Sequence, residues 1–262
     1  RTVQVLHPNA DYPVILIRDA FQGGSVRGMK ISTLNLMATG EVETPAGPMT
    51  PPVSDQRKDN GRPSAGPIFP LRPGVNKFGF TGASFGGTKP AIDWDLYTIA
   101  DETLQANIGN WAWSDFERQH ILRLRGVGPF TTVILPVRKG AKREVAVERD
   151  GANLRLTSGE EITLIGADFY AYSLPDRQAL ATFTAAPAIG PGGMQAEGGP
   201  VEILLNGDQA IVTAHGDKGP RTLTLPGAWT VEDKGSPLTL TKGKWIFDYQ
   251  GREPLTVALK RK

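Results

Sequence analysis

Hydrophobic and polar residues alternate along most of the chain, which is the pattern of β-strands that bury one face. The alternation is clear in residues 2–6 and 29–37, and it returns in many short segments toward the C-terminus. Residues 14–17 and 130–137 are instead continuous apolar runs rich in β-forming residues. Turn residues separate these segments at short intervals, and the Asp-Gly pair at 150–151 indicates a hairpin. No segment of ten or more residues has a convincing helical period.

This pattern predicts an all-β protein, with a layered antiparallel β-sandwich (supersandwich-like) followed by a small C-terminal β-domain. We expect the large sandwich over residues 1–186, a Gly/Pro-rich linker at 187–200 and the small domain at 201–262. Residues 40–76 carry eight prolines and little periodicity, which predicts a long extended loop. Phe69 and Leu71 are apolar anchors that favour packing of this loop onto the body of the protein.

Composition excludes several classes of function. The chain has 262 residues, of which 39% are hydrophobic, enough for a sizeable core. A net charge of +2 argues against a dedicated nucleic-acid binder, and no apolar run is long enough to predict a membrane span. The absence of cysteine excludes disulfides, thiolate zinc sites and cysteine nucleophiles. It also fits a periplasmic or secreted bacterial protein, which is the expected location.

The first residues suggest that the chain begins inside a larger protein. Arg1 stands where a start methionine would be expected, and residues 2–6 already alternate like a strand. No signal peptide precedes them in this sequence. We interpret the chain as a processed product or as one that lacks upstream sequence.

His120 is the strongest catalytic candidate among three histidines, none of which belongs to a spaced metal motif. His7 and His215 lie in polar turns, where a solvated side chain is expected. On a strand, His120 would share a face with Arg118 and two leucines, while Arg123 and Arg125 would share the other face.

Aromatic and basic residues around His120 form a candidate surface for an acidic sugar. Trp111 and Trp113 fall on one face if that stretch is extended, and indole rings stack on sugar rings. The guanidinium forks of Arg118 and Arg123 would pair with carboxylate or sulfate groups. In the alternative interpretation, the tryptophans fill a sandwich core and the arginines form salt bridges with nearby acidic residues.

Three carboxylates are candidates for binding a divalent metal, zinc or calcium. Asp19 ends an apolar run, where it would cap a turn, hold a metal or anchor a histidine ring. Asp93 and Asp95 share one face of a strand and would offer oxygen ligands to a cation, or form a solvated face opposite Trp94. The sequence gives no full ligand set, so the cofactor is unknown.

Several stretches together resemble the β-rich C-terminal part of the heparinase II/III-like polysaccharide lyases. The resemblance spans roughly residues 1–190. The stretches are residues 1–5, 12–21, 34–36 and 130–136, which read RTVQV, YPVILIRDAF, LNL and FTTVILP. In that family, a strand that begins with arginine precedes a strand with the pattern tyrosine, apolar run, aspartate and aromatic residue. A later strand has a sequence similar to FTVLP.

This resemblance implies a β-sandwich that follows a helical α/α toroid, in enzymes that cleave acidic polysaccharides by β-elimination. Such chemistry needs a base at C5 of a uronate and groups that neutralise its carboxylate. Asp19 matches an aspartate that holds zinc in some family members, but Asn35 stands at the later histidine position. The toroid and the family's histidine-rich sheet motif have no counterpart in this sequence.

The leading hypothesis is therefore the β-sandwich portion of a polysaccharide lyase, incomplete on its own and dependent on an upstream toroid or a partner chain. Its expected ligand is an acidic, uronate-containing polysaccharide, with His120 as a catalytic residue. A non-catalytic carbohydrate-binding module and a purely structural β-domain are the alternatives.

Overall fold

The computed structural model describes residues 1–9, 12–19, 29–53, 63–83, 89, 91–100, 102–114, 117–139, 141, 145–233, 235–251 and 253–262. This part of the chain contains 23 β-strands and one short 3-10 turn, with no α-helix. All strand pairs are antiparallel, for example β1 with β2 and β18 with β23. The prediction of an all-β sandwich-type protein is confirmed. The chain divides into two compact units, Arg1–Arg143 and Glu144–Lys262.

The first unit contains nine strands that form one continuous ladder. They are β1 (Thr2–Asn9), β2 (Tyr12–Asp19), β3 (Lys30–Glu43), β4 (Phe69–Leu71), β5 (Gly74–Gly82), β6 (Ile92–Ala100), β7 (Leu104–Ser114), β8 (Glu117–Gly126) and β9 (Phe130–Arg138). Their spatial order is β1-β2-β9-β6-β5-β3-β8-β7-β4.

Strand β3 joins two halves of this ladder because its two ends pair with different partners. Residues 30–37 pair with β8, whereas Ala38, Val42 and Glu43 pair with β5. The register shifts between Ala38 and Val42, where Gly40 adopts φ +75°, a left-handed conformation that glycine tolerates best.

One apolar core lies between the two halves. Alternating residues of β3 and β8, including Leu34, Leu36 and Leu122, pack in one cluster with Phe78 of β5 and Leu96 of β6. The intervening residues of β3 are exposed or half-buried. The period-two alternation in the sequence therefore produces one buried and one outward face.

The second unit contains the remaining elements in two sheets. They are β10 (Ala146–Asp150), β11 (Asn153–Ser158), β12 (Glu161–Ile165), β13 (Phe169–Ser173), β14 (Arg177–Thr182), β15 (Ala188–Ile189), η1 (Pro191–Gly193), β16 (Gln195–Glu197), β17 (Val201–Asn206), β18 (Gln209–Ala214), β19 (Gly219–Thr224), β20 (Trp229–Val231), β21 (Thr239–Thr241), β22 (Lys244–Tyr249) and β23 (Leu255–Arg261). The larger sheet has the order β10-β11-β12-β13-β14-β17-β18-β23-β20, and the smaller has the order β15-β16-β19-β22-β21. A second core joins the two sheets, with Leu180 and Val212 from the larger sheet and Leu223 and Trp245 from the smaller.

The observed division of the chain differs from the one expected from the sequence. The boundary lies at residue 143 rather than within 187–200. The Gly/Pro-rich segment supplies β15, η1 and β16 to the smaller sheet, and its Met194 and Ala196 are buried in the second core. Glycines mark this segment because its turns need positive φ, as at Gly192 and Gly193.

The proline-rich segment packs onto the first unit at its anchors, as expected. Leu71 is fully buried and Phe69 is packed against the core. Phe69 and Leu71 belong to β4, which pairs with β7. Residues 54–62 of this segment lie outside the described part of the chain.

Arg221 is a buried cation that holds loops of the second unit together. Its side chain is 1% exposed and donates hydrogen bonds to the backbone carbonyls of Gly198, Gly219, Pro220, His215 and Asp217 at 2.6–3.3 Å. The guanidinium also lies 5.3 Å from the centre of the Tyr249 ring, a cation–π distance.

Glycine is required where the chain passes this guanidinium. Gly199 has φ +154°, and a Cβ there would overlap the guanidinium of Arg221. The guanidinium of Arg221 can therefore occupy this position only because the neighbouring backbone residue is a glycine.

Replacing Arg221 with Met should destabilise the second unit strongly. The change would remove the donor of five part-buried hydrogen bonds to backbone carbonyls, and each such bond contributes about 0.5–1.5 kcal/mol. We expect a loss of about 2–4 kcal/mol in the free energy of unfolding, measured by urea denaturation. Lys244→Met, at an exposed position of β22, is the control and should change stability by less than about 0.5 kcal/mol. Equal effects of the two substitutions would contradict the structural role of Arg221.

Candidate ligand-binding face

His120 lies inside the first unit and not on its surface. The side chain is 2% exposed, on the face of β8 that it shares with Leu122 and Leu124. Its Nε2 lies 3.1 Å from the carbonyl oxygen of Gly40, and its Nδ1 lies 3.2 Å from Nδ2 of Asn110. A neutral imidazole protonated at Nε2 satisfies both contacts, donating to the carbonyl and accepting from the amide. Burial lowers the pKa of His120 below its ordinary value, which favours this neutral form.

The position of His120 indicates that it stabilises the structure of β3. Gly40 lies in the register shift of β3, where the regular ladder is interrupted. The imidazole supplies a donor to the Gly40 carbonyl at that interruption. The buried position differs from the expectation that His120 faces a substrate.

The opposite face of β8 is the candidate ligand-binding face. Alternation along the strand places Arg123 and Arg125 on this face, as the sequence predicted. The neighbouring strands contribute residues in register with the arginines. These are Thr33 and Asn107 beside Arg123, Ile31 and Gln105 beside Arg125, and Trp111 beside Gln119.

The two arginines form a local positive charge on this face. Among the residues that the structure describes, neither Arg123 nor Arg125 makes a salt bridge. Burial lowers the pKa of Arg123, and the charge of Arg125 lowers it further. An anion bound at this face would relieve that repulsion.

Two polar atoms on the same face are buried. Neither Oδ1 of Asn107 nor Nε of Arg125 has a hydrogen-bond partner in the described structure. Asn107 is 1% exposed, and it lies directly opposite Arg123 in the ladder. The strand alternation that places Arg123 on this face also places Arg125 there. Asn107 belongs to no sequence motif, and its position on the face becomes clear only from the pairing of β7 with β8.

The proline-rich segment covers part of this face. The N–H of Ser64 donates to the carbonyl of Asn110 at 2.9 Å, and Nη1 of Arg123 lies 3.5 Å from the Ser64 carbonyl. Gly109 makes this approach feasible, because a Cβ there would overlap the Ser64 carbonyl oxygen. The segment therefore lies over the middle of the face, where Asn107 and Ile121 are buried, while Thr33 and Asn35 remain exposed on β3.

The structure brings together only some of the predicted sugar-binding residues. Trp111 is half-buried and shares the outward face of β7 with Asn107. Trp113 and Arg118 lie on strands β7 and β8, but their side chains fall outside the described residues. Their predicted roles stay predictions.

Asp19 is part of an ion pair. Its two carboxylate oxygens accept hydrogen bonds from Nε and Nη2 of Arg1, each at 2.7 Å. The hydroxyl of Ser32 also donates to Asp19. The hydrogen bond from Arg1 is the main reason why the pKa of Asp19 is lowered.

Asp93 and Asp95 also have protein partners. The N–H of Gly82 donates to Asp93 at 2.9 Å, and Asp95 forms a 3.1 Å salt bridge with Lys77. Within the described ranges, no group of three or more potential metal ligands is assembled. The metal-binding interpretation of Asp19 therefore has no supporting geometry, and this carboxylate is instead saturated by Arg1 and Ser32.

Comparison with known proteins identifies no relative of this chain. The chain matches no protein-family model, no curated protein and no solved structure. The resemblance to heparinase II/III-like lyases thus stays a prediction. Across the described residues, no helix is both long and apolar enough to cross a membrane.

The first unit should lose stability as the pH falls below neutrality because of His120. The pKa of buried His120 lies below the 6.5 of the unfolded chain, so the unfolded chain binds this proton first. The stabilisation is complete above pH 6.5 and is lost as the pH falls toward the folded pKa. The slope cannot exceed about 1.4 kcal/mol per pH unit for one proton. Thermal unfolding between pH 5 and pH 7.5 measures it.

An NMR titration of the His120 ring in the unmodified chain provides an independent readout. A His120 pKa above 6.5 would contradict the buried neutral imidazole.

Asp19→Asn should destabilise the first unit at neutral pH but not at strongly acidic pH. The lowered pKa of Asp19 means that its stabilisation is present above the ordinary value of 3.8 and is lost as the pH falls through the folded pKa. Because Arg1 is 43% exposed, we expect only about 1 kcal/mol at pH 7. Urea unfolding at pH 7 and pH 2 tests this, with Glu41→Gln, at an exposed position of β3, as the control. A loss of the same size at both pH values would argue against the ion pair.

Proposed function

We propose that this chain is a non-catalytic β-sandwich protein that binds an acidic polysaccharide on the outward face of β3, β8 and β7. The observation that carries the proposal is the pair Arg123 and Arg125, which share one face and have no carboxylate partner among the described residues. A polymer bearing carboxylate or sulfate groups would supply the missing negative charge.

The chemistry around the arginines suits a sugar polymer. The exposed side chains of Thr33, Asn35 and Gln105 offer hydrogen bonds to hydroxyl groups. Trp111 is half-buried on the same face, beyond the residues that the Ser64 backbone covers. Thr33 and Gln105 flank the arginines in the ladder and are exposed, so the stretch around Arg125 is the part of the face that a polymer reaches.

Binding without catalysis is the better-supported form of the proposal. The expected base, His120, lies on the inner face of β8 and is held by Asn110 and the Gly40 carbonyl. A general base must come within hydrogen-bond distance of the proton it removes. His120 would reach a glycan only if the core opened. A lyase reaction would therefore need a base outside this face, such as one on an upstream toroid or a partner chain.

Arg125→Gln is the sharpest test, because this side chain has no described hydrogen bond whose loss would disturb the fold. We expect it to weaken binding of heparin or alginate about five- to tenfold, since one charge-assisted contact is lost. Arg123→Gln should act similarly. Arg138→Gln, an exposed arginine of β9, removes the same charge elsewhere and should have little effect. Calorimetry at two salt concentrations measures the affinities, which should fall as salt rises.

Two results would contradict this proposal. Equal weakening by Arg138→Gln and Arg125→Gln would show non-specific attraction in place of a defined face. A rise in ultraviolet absorbance on mixing the chain with heparin, heparan sulfate, chondroitin, alginate or ulvan would reveal an unsaturated uronate, and hence lyase activity.

A further inference from the structure

A second candidate site is an open cavity of about 290 Å³ in the second unit. Four separate stretches line it: the turn between β13 and β14, the turn between β17 and β18, the segment before β20 and the end of β23. Its size is close to the lower end of the range for small-molecule sites.

The inner wall of the cavity is apolar. Leu174, Leu205 and Trp229 line it and are each less than 10% exposed. The indole N–H of Trp229 donates to the carbonyl of Pro226 at 2.8 Å, so the polar end of this side chain is already satisfied. Because only a small part of each side chain reaches the cavity, the wall offers a small apolar surface that a compact ligand can cover.

Two guanidinium groups accompany this apolar wall. Arg261 lies 5.4 Å from the centre of the Trp229 ring, which restrains its side chain before any ligand arrives. Arg177 has a buried Nε atom with no hydrogen-bond partner. In the described part of the chain, neither arginine forms a salt bridge, although Asp176 also lines the cavity.

The chemistry of such a cavity is specific. An arginine fork matches the two oxygens of a carboxylate, and the apolar wall favours a compact hydrophobic body. A bare inorganic anion would leave the apolar wall uncovered, and a neutral apolar molecule would leave both guanidinium groups unpaired.

We propose that this cavity binds a small organic monocarboxylate, with its carboxylate at Arg177 and Arg261 and its apolar body against Trp229 and Leu205. This site uses none of the residues of the candidate ligand-binding face. A negative result for this cavity would therefore leave the proposed polysaccharide binding untouched, and a negative result for polysaccharide binding would leave the cavity proposal untouched.

Calorimetric titration of the full chain with sodium benzoate tests this site, and benzamide is the neutral probe of the same shape. We expect saturable binding of benzoate and at least about tenfold weaker binding of benzamide. Arg177→Gln and Arg261→Gln should each weaken benzoate binding about tenfold. Lys260→Gln removes the same charge from the exposed position next to Arg261 and should leave the affinity unchanged.

Thermal unfolding of each variant checks that it is folded, and NMR of the unmodified chain maps the site without any substitution. Benzoate should shift the amide signals of Asp176 and Gly207 and the indole signal of Trp229. The proposal would be overturned if benzoate binding did not saturate or if benzamide bound equally well. It would also be overturned if Lys260→Gln weakened benzoate binding as much as the arginine variants, or if benzoate shifted only amide signals outside the cavity.

Discussion

The hydrogen bond between His120 and the Gly40 carbonyl is the contact on which the first unit depends. Strand β3 must pair with β8 at one end and with β5 at the other, and the register shift at Gly40 allows it to do both. Such a shift leaves backbone groups without ladder partners, and the ring nitrogens of His120, which is 2% exposed, need partners inside the unit. The neutral imidazole supplies the donor, and Asn110 fixes its orientation. A histidine that appears catalytic in the sequence thus stabilises the junction of two half-sheets.

The second unit solves a similar problem with a different side chain. Arg221 donates hydrogen bonds to five carbonyls where the chain turns around β16 and β19, and none of the described carboxylates forms a salt bridge with it. Burial lowers the pKa of Arg221, against the raising effect of Tyr249, Asp217 and Asp248. Arginine suits this position because its two terminal nitrogens carry four N–H donors in a fixed geometry, and here they reach carbonyls of several loops at once. Each unit therefore uses one buried polar residue to close an irregular part of its ladder.

The sequence predicted the strand content and the two faces of β8 because alternation is a local property. It did not reveal which face was buried, since both faces of β8 combine apolar and basic residues, and only pairing with β3 and β7 decides between them. The segment at 187–200 appeared to be a linker because glycine and proline dominate it. Long-range pairing of β16 with β19, together with burial of Met194, made it part of a sheet. The cavity joins residues from 174 to 261, a proximity that no local pattern encodes.

The fixed geometry of strand β8 limits which ligands the candidate ligand-binding face would select. Arg123 and Arg125 are two residues apart on one strand, so their backbone positions are separated by about 7 Å, and ordering them on binding costs little. With a net charge of +2 the chain has little overall attraction for anions, and salt screens charges beyond about 8 Å. Affinity must then arise from ligands whose negative groups match the spacing of the arginines. A flexible basic loop would accept any polyanion, whereas a fixed pair of strand positions favours a polymer with a regular repeat.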